Sequence, residues 1–119
     1  MNTRAVPFSI RAQDVELSED REFPGEVIAG NPRFSSAVLW EGPTGAMGGV
    51  WQVEPGVFTW EFPADELFVV LDGKATIEVE GGPVLTHGPG DMAIYAAGDR
   101  TVWRVHETLR KVFHISASR

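Results

Sequence analysis

Beyond Ser35 the chain alternates between short apolar runs and turn residues, and no helical period is sustained. Runs rich in Val, Ile, Phe, Trp or Thr fall at 37–41, 49–53, 57–62, 67–71, 75–79, 84–86, 92–95, 101–105 and 111–115. Within them apolar and polar positions tend to alternate, which is the mark of strands with one face buried. The breaks are chemically specific. Asp72-Gly73, between Leu71 and Lys74, predicts a two-residue hairpin loop, because glycine takes a positive φ without steric cost. Gly81-Gly82-Pro83 and Gly88-Pro89-Gly90-Asp91 predict two more turns. The stretch 99–119 lacks Gly and Pro, yet Thr101, Trp103 and Val105 alternate, as do Lys111, Phe113 and Ile115. It predicts two strands joined by a turn at His106-Glu107-Thr108. About nine short strands at this spacing predict an all-β fold, an antiparallel sandwich or barrel. The segments 53–56 and 87–91 echo each other weakly, as if the barrel had two matching halves.

Residues 1–34 follow a different rhythm. Short apolar pieces (Val6, Phe8, Ile10; Val15, Leu17; Val27, Ile28) lie between the run Glu19-Asp20-Arg21-Glu22 and the turns Pro24-Gly25 and Asn31-Pro32. This reads as an arm, 1–34, ahead of a single barrel domain, 35–119. The arm either adds short edge strands or lies across a neighbouring subunit, and a homodimer is expected because strand edges need cover.

Composition narrows the partners. The formal charge is 10 − 17 = −7 with no basic block, which argues against nucleic acid and against an anionic membrane surface. The absence of cysteine removes disulfides, thiolate nucleophiles and cysteine-held metals. The first residues carry no apolar leader core, and nothing approaches the roughly 18 apolar residues of a membrane span, so the cytoplasm is the default expectation.

The candidate chemistry sits on three rows of side chains. Phe58, Trp60 and Phe62 share one strand face; Glu66, Phe68 and Val70 share another; Thr101, Trp103 and Val105 form the third. If the rows face one interior, a single carboxylate, Glu66, looks onto Trp and Phe rings. The spacing of Glu66 and Gly73 resembles the first motif of the cupin superfamily, G(x)5HxH(x)3–4E(x)6G. Gly90, Gly98 and Thr101 fall where the second, G(x)5PxG(x)2H(x)3N, would lie. Gly49-Val50-Trp51, Pro55-Gly56, Phe58-Thr59-Trp60, Asp65-Glu66, Leu71-Asp72-Gly73, Pro89-Gly90-Asp91, Ala97-Gly98, Thr101-Val102-Trp103 and Arg110-Lys111 together resemble a small single-domain group of cupins. That group is related to the cupin domain of (S)-ureidoglycine aminohydrolase and is similar to an ethanolamine-utilisation cupin.

The resemblance implies a double-stranded β-helix, a jelly-roll-like barrel, and in its metal-binding members a site built from the HxH pair, the Glu and the second-motif His. Here the HxH positions hold Trp60 and Phe62, the second His position holds Thr101, and Ala96 replaces the motif proline. One ligand of four remains, whereas a tightly held transition metal needs three or four donors. His87, His106 and His114 have no ligand spacing; they read as turn or surface residues, with His114 facing solvent or the barrel mouth. No metal and no cofactor are therefore expected.

Glu66 keeps two readings. It is a relict at the barrel mouth, hydrated or paired with a base such as Arg100, Arg104 or Lys111, or it sits desolvated among Trp60, Phe62 and Trp103 as an acid/base or ligand-binding group. The expected ligand-binding set is Phe58, Trp60, Phe62, Glu66, Thr101 and Trp103, with Trp40 and Trp51 filling the barrel or a dimer interface. Three functions follow: a metal-free binder of a small polar metabolite, an enzyme of amine or ureide catabolism using Glu66 as acid/base or a non-standard metal site, or a dimeric barrel without chemistry.

Overall fold

Two long strands carry the architecture, and both are longer than the apolar runs that foreshadow them. The computed structural model describes residues 3–116. In chain order the strands are β1 (Ser18–Asp20), β2 (Val27–Gly30), β3 (Phe34–Glu41), β4 (Met47–Val53), β5 (Gly56–Glu61), β6 (Glu66–Val79), β7 (Val84–His87), β8 (Met92–Tyr95) and β9 (Arg100–Ile115). Their ladders are all antiparallel. The first half of β6 lies between β8 and the second half of β9, while its second half lies between β7 and the first half of β9. β9 is shared in the same way, with β4 beside its second half and β5 beside its first. The result is two sheets, β1-β3-β4-β9-β6-β8 and β2-β5-β9-β6-β7, joined through the two strands that bend from one into the other. This is the antiparallel double-stranded β-helix.

Two expected turns are corrected. Asp72-Gly73 is not a hairpin, and His106-Glu107-Thr108 is not a turn; both lie inside continuous strands. The positive φ of Gly73, +87°, serves a bulge instead, with register shifts between Val70, Asp72, Lys74 and Ala75. A local signal for positive φ is the same in a hairpin and in a bulge; what differs is the pairing partner. Here both flanking halves pair with β9, not with each other. The bulge also resets the pleat. Inward residues are Glu66, Phe68 and Val70 before it and Ala75 and Ile77 after it, so the buried row moves from even to odd positions.

The arm folds back onto its own barrel. β1 pairs with β3 and β2 with β5, both as edge strands. Ahead of β1, Arg110 reaches the carbonyls of Ala12 and Val15 at 3.0 and 2.7 Å, and Val15 is buried. The interior is mostly aromatic: Phe58, Phe62, Phe68 and Trp103 are all but sealed from solvent, beside Ile77 and Leu109. Each such side chain stabilises the fold by about 1.5–3 kcal/mol.

A Cβ at Gly73 would run into the carbonyl of Thr108, whereas one at Gly45, also at positive φ (+92°), meets nothing. Gly45→Ala is expected to cost about 1–3 kcal/mol, the strain of the backbone alone. Gly73→Ala is expected to cost more, because β9 must also move. Urea unfolding of the two variants measures the difference, and equal losses would sink the bulge assignment.

Candidate functional site

The site is built where the first half of β6 faces the second half of β9. Lys111 stands opposite Val70 on β6 and opposite Trp51 on β4, while Glu66 stands opposite Ile115. The two charged residues are thus offset by four positions, and the lysine must run along the barrel past Phe68 to reach the carboxylate. It does so. Lys111 Nζ lies 2.6 Å from Glu66 Oε2, and the side chains are 6% and 8% exposed. On the way the ammonium sits 4.2 Å from the Phe68 ring centroid, 4.7 Å from Trp51 and 5.2 Å from Trp103. Taking either charge out of water costs several kcal/mol unless an opposite charge answers it. The carboxylate supplies most of that answer, and the ring faces add cation–π attraction.

Around this pair is a cavity of about 650 Å³. Trp51, Phe58, Trp60, Trp103 and Phe113 form its walls, with Glu66 and Lys111 between them. Residues 19–24 of the arm line it too, bringing Glu19, Asp20, Arg21, Glu22 and Phe23. Phe23 stacks on Phe34 with centroids 4.0 Å apart and meets Trp60 at 5.7 Å. The segment is pinned just beyond, where Thr59 N–H donates to the Glu26 carbonyl at 2.8 Å and Glu26 N–H donates to Thr59 Oγ1 at 3.0 Å.

Of the expected ligand-binding set, Phe58, Trp60, Glu66 and Trp103 come together on this cavity. Phe62 and Thr101 do not line it. Phe62 is sealed in the core and stacks flat on Tyr95 at 4.7 Å. The Thr101 hydroxyl donates to the Trp60 carbonyl at 2.7 Å and accepts from Trp103 Nε1 at 3.1 Å, so it holds two wall residues in place. It also borders a separate cleft lined by Glu61 and Arg100.

Of the three bases considered for Glu66, Lys111 is the partner; Arg100 and Arg104 pair at the surface with Glu61 and Glu78. Sequence reasoning missed Trp51, Phe113 and the arm residues as pocket walls. A signal for Lys111 was present: it is the one charged position in the inward row Leu109, Lys111, Phe113.

His87 is also corrected. It is neither turn nor surface but buried at the end of β7, with Nε2 2.9 Å from the Tyr95 hydroxyl. Burial lowers its pKa from the ordinary 6.5, Asp91 opposes that, and Lys111 reinforces it. Burial, aided by Asp99, holds the Tyr95 phenol well above its usual range. His106 and His114 are exposed, the first against Thr76 and the second against the Trp40 ring. Among the described residues no three His, Cys, Asp or Glu side chains cluster as a metal site would require.

Two sheets sharing a pair of bent strands around an interior pocket define a cupin-superfamily barrel. The profile of the EutQ-like cupin domain matches residues 41–113, and the chain belongs to that family. It is similar to a DUF861 family protein of Thermotoga maritima, at 28% identity over 56% of this chain and 76% of that one, with a TM-score of 0.55. The EutQ protein of Clostridium difficile shares the fold at 18% identity, covering 92% of this chain and 86% of its own, with a TM-score of 0.72. A DUF861 family protein of unknown function from Pseudomonas syringae pv. tomato reaches a TM-score of 0.78 at 23% identity, over 87% of this chain and 46% of that longer one. No curated protein matches the chain.

Two outcomes test the site's electrostatics. Lys111→Met and Glu66→Leu should each cost about 3–5 kcal/mol, because each strands a buried charge, and the double variant should cost less than either. Urea unfolding of the four proteins reads this; additive losses would show that the pair is not coupled. For His87 the folded pKa lies below the unfolded 6.5, so below about pH 6.5 the unfolded chain binds a proton that the folded one refuses. Stability should therefore fall as pH drops through that region. His87→Gln should flatten this slope, measured as unfolding free energy against pH.

Proposed function

We propose that the protein binds a small polar metabolite in this cavity, with the Glu66–Lys111 pair as the polar centre and the rings of Trp51, Phe58, Trp60 and Trp103 as walls. The observation that carries the reading is the pair itself: two opposite charges presented together inside an otherwise aromatic cavity. Aromatic walls with a few convergent polar groups describe small-ligand sites in general.

The residues do not fit the metal that many cupins hold. The three other ligand positions carry Trp60, Phe62 and Thr101, whose indole and phenyl rings donate nothing and whose hydroxyl is spent on Trp60 and Trp103. The remaining carboxylate already has a cation 2.6 Å from one oxygen. Our reading is a site whose resident cation is the lysine.

A second reading is an enzyme with Glu66 as acid/base. It is favoured by the hydrogen bond to Lys111, through which a proton can pass between two groups that both line the cavity.

Thermal-shift measurements with small carboxylates, amides and amines test the binding reading, since a ligand at 100 times its Kd stabilises by about 2.7 kcal/mol. The shift found with the wild type should shrink in Trp60→Ala and Glu66→Gln. If both variants keep it in full, the cavity is not the site. Near-stoichiometric Mn, Fe, Ni or Zn in untagged protein would overturn the metal-free part.

A further inference from the structure

The Glu66–Lys111 pair leaves hydrogen-bonding capacity unspent. An ammonium has three N–H donors, and a carboxylate accepts at both oxygens. Among the described residues Lys111 Nζ finds one oxygen partner, Glu66 Oε2, and otherwise has the ring centroids of Phe68, Trp51 and Trp103 at 4.2, 4.7 and 5.2 Å. Among the described residues Glu66 Oε1 has no protein hydrogen bond, and it is not enclosed: the unpartnered enclosed side-chain atom there is Arg110 Nε, under the N-terminal segment. The free donors of Lys111 and the free acceptor of Glu66 therefore sit side by side on residues that line the cavity.

The charge of the pair is zero, which constrains what joins it. A carboxylate ligand would accept from Lys111 but crowd a second negative charge against Glu66, in a cavity that Glu19, Asp20 and Glu22 also line beside Arg21. An ammonium ligand would satisfy Glu66 but face Lys111. Either leaves one buried charge uncompensated, which is the costly case in a cavity walled by rings. A neutral group with one acceptor beside one donor satisfies both atoms and adds no charge.

We propose that the pocket selects neutral ligands bearing a carboxamide, with the carbonyl oxygen on Lys111 Nζ and an N–H on Glu66 Oε1. This rests on the cavity being a ligand site and names the class of ligand it takes. Trp51 and Trp60, only partly buried and lining the same cavity, are placed to meet the flat remainder of such a molecule.

The test is calorimetric titration of the full chain near pH 7 with benzamide, benzoate and benzylamine, which share a ring and differ in the head group. Benzamide is expected to bind at least tenfold more tightly than the other two. Glu66→Gln supplies the sharper readout. Its amide oxygen can stay on Lys111, which turns an N–H donor toward the ligand and makes the pair a net cation. Benzamide should then weaken at least tenfold and benzoate should strengthen, an inversion that mere loosening of the fold would not produce.

Benzoate or benzylamine matching benzamide in the wild type would overturn the carboxamide class while leaving the pocket reading intact. The class falls equally if none of the three binds, or if Glu66→Gln fails to invert the preference. Benzamide binding that survives unchanged in both Glu66→Gln and Trp60→Ala would place it elsewhere and overturn the pocket reading as well.

Discussion

The antiparallel ladder between β6 and β9 is the constraint on which the rest of this barrel depends. It runs nearly the length of both strands and belongs to both sheets, so it fixes how the sheets face each other. The ladder cannot stay regular and also turn the corner. The bulge around Gly73 lets it bend; β6 takes five positions there, Val70 to Ala75, against six on β9, Lys111 to Val105, so the buried row of β6 moves from even to odd positions and apolar side chains remain inside on both arms of the bend. β9 keeps its own parity, with Trp103 and Val105 inward before the bend and Leu109, Lys111 and Phe113 inward after it. The same geometry that closes the barrel thus commits a lysine to its interior.

That commitment has a chemical consequence. A buried ammonium is tolerated only where charge and polarisable surface answer it, and here one carboxylate and three ring faces do so. Glu66 is brought into reach because β6 enters the barrel at that residue, four positions along from the lysine's partner. The aromatic walls then have two jobs. They support the cation, and they line a space in which the pair is the polar landmark. The arm adds to the lining: Phe23 stacks onto Phe34, and residues 19–22 border the same cavity.

Much of the barrel was legible in the chain because alternation is a local property. Phe58 and Trp60, Glu66 and Phe68, and Thr101 and Trp103 fall on inward rows as their spacing predicts, and four of the six expected pocket residues meet at one cavity. The errors share a cause. A positive φ at Gly73 is encoded locally, but whether it makes a hairpin or a bulge depends on which strand the flanking halves pair with. His87 resembles a turn residue beside Gly88-Pro89, yet it is buried because Tyr95, across the sheet, supplies a partner for its ring nitrogen.

By itself, then, the sequence determined the all-β class, most strand positions and the loss of imidazoles from the cupin ligand frame at Trp60, Phe62 and Thr101, because period and residue chemistry are written in order along the chain. Tertiary structure alone decided that Lys111, among three available bases, meets Glu66, and that Trp51 and the arm wall the cavity. The Glu66–Lys111 contact joins residues 45 positions apart through the curvature and register of paired strands. No local pattern carries that information, since it exists only once the strands have found their partners.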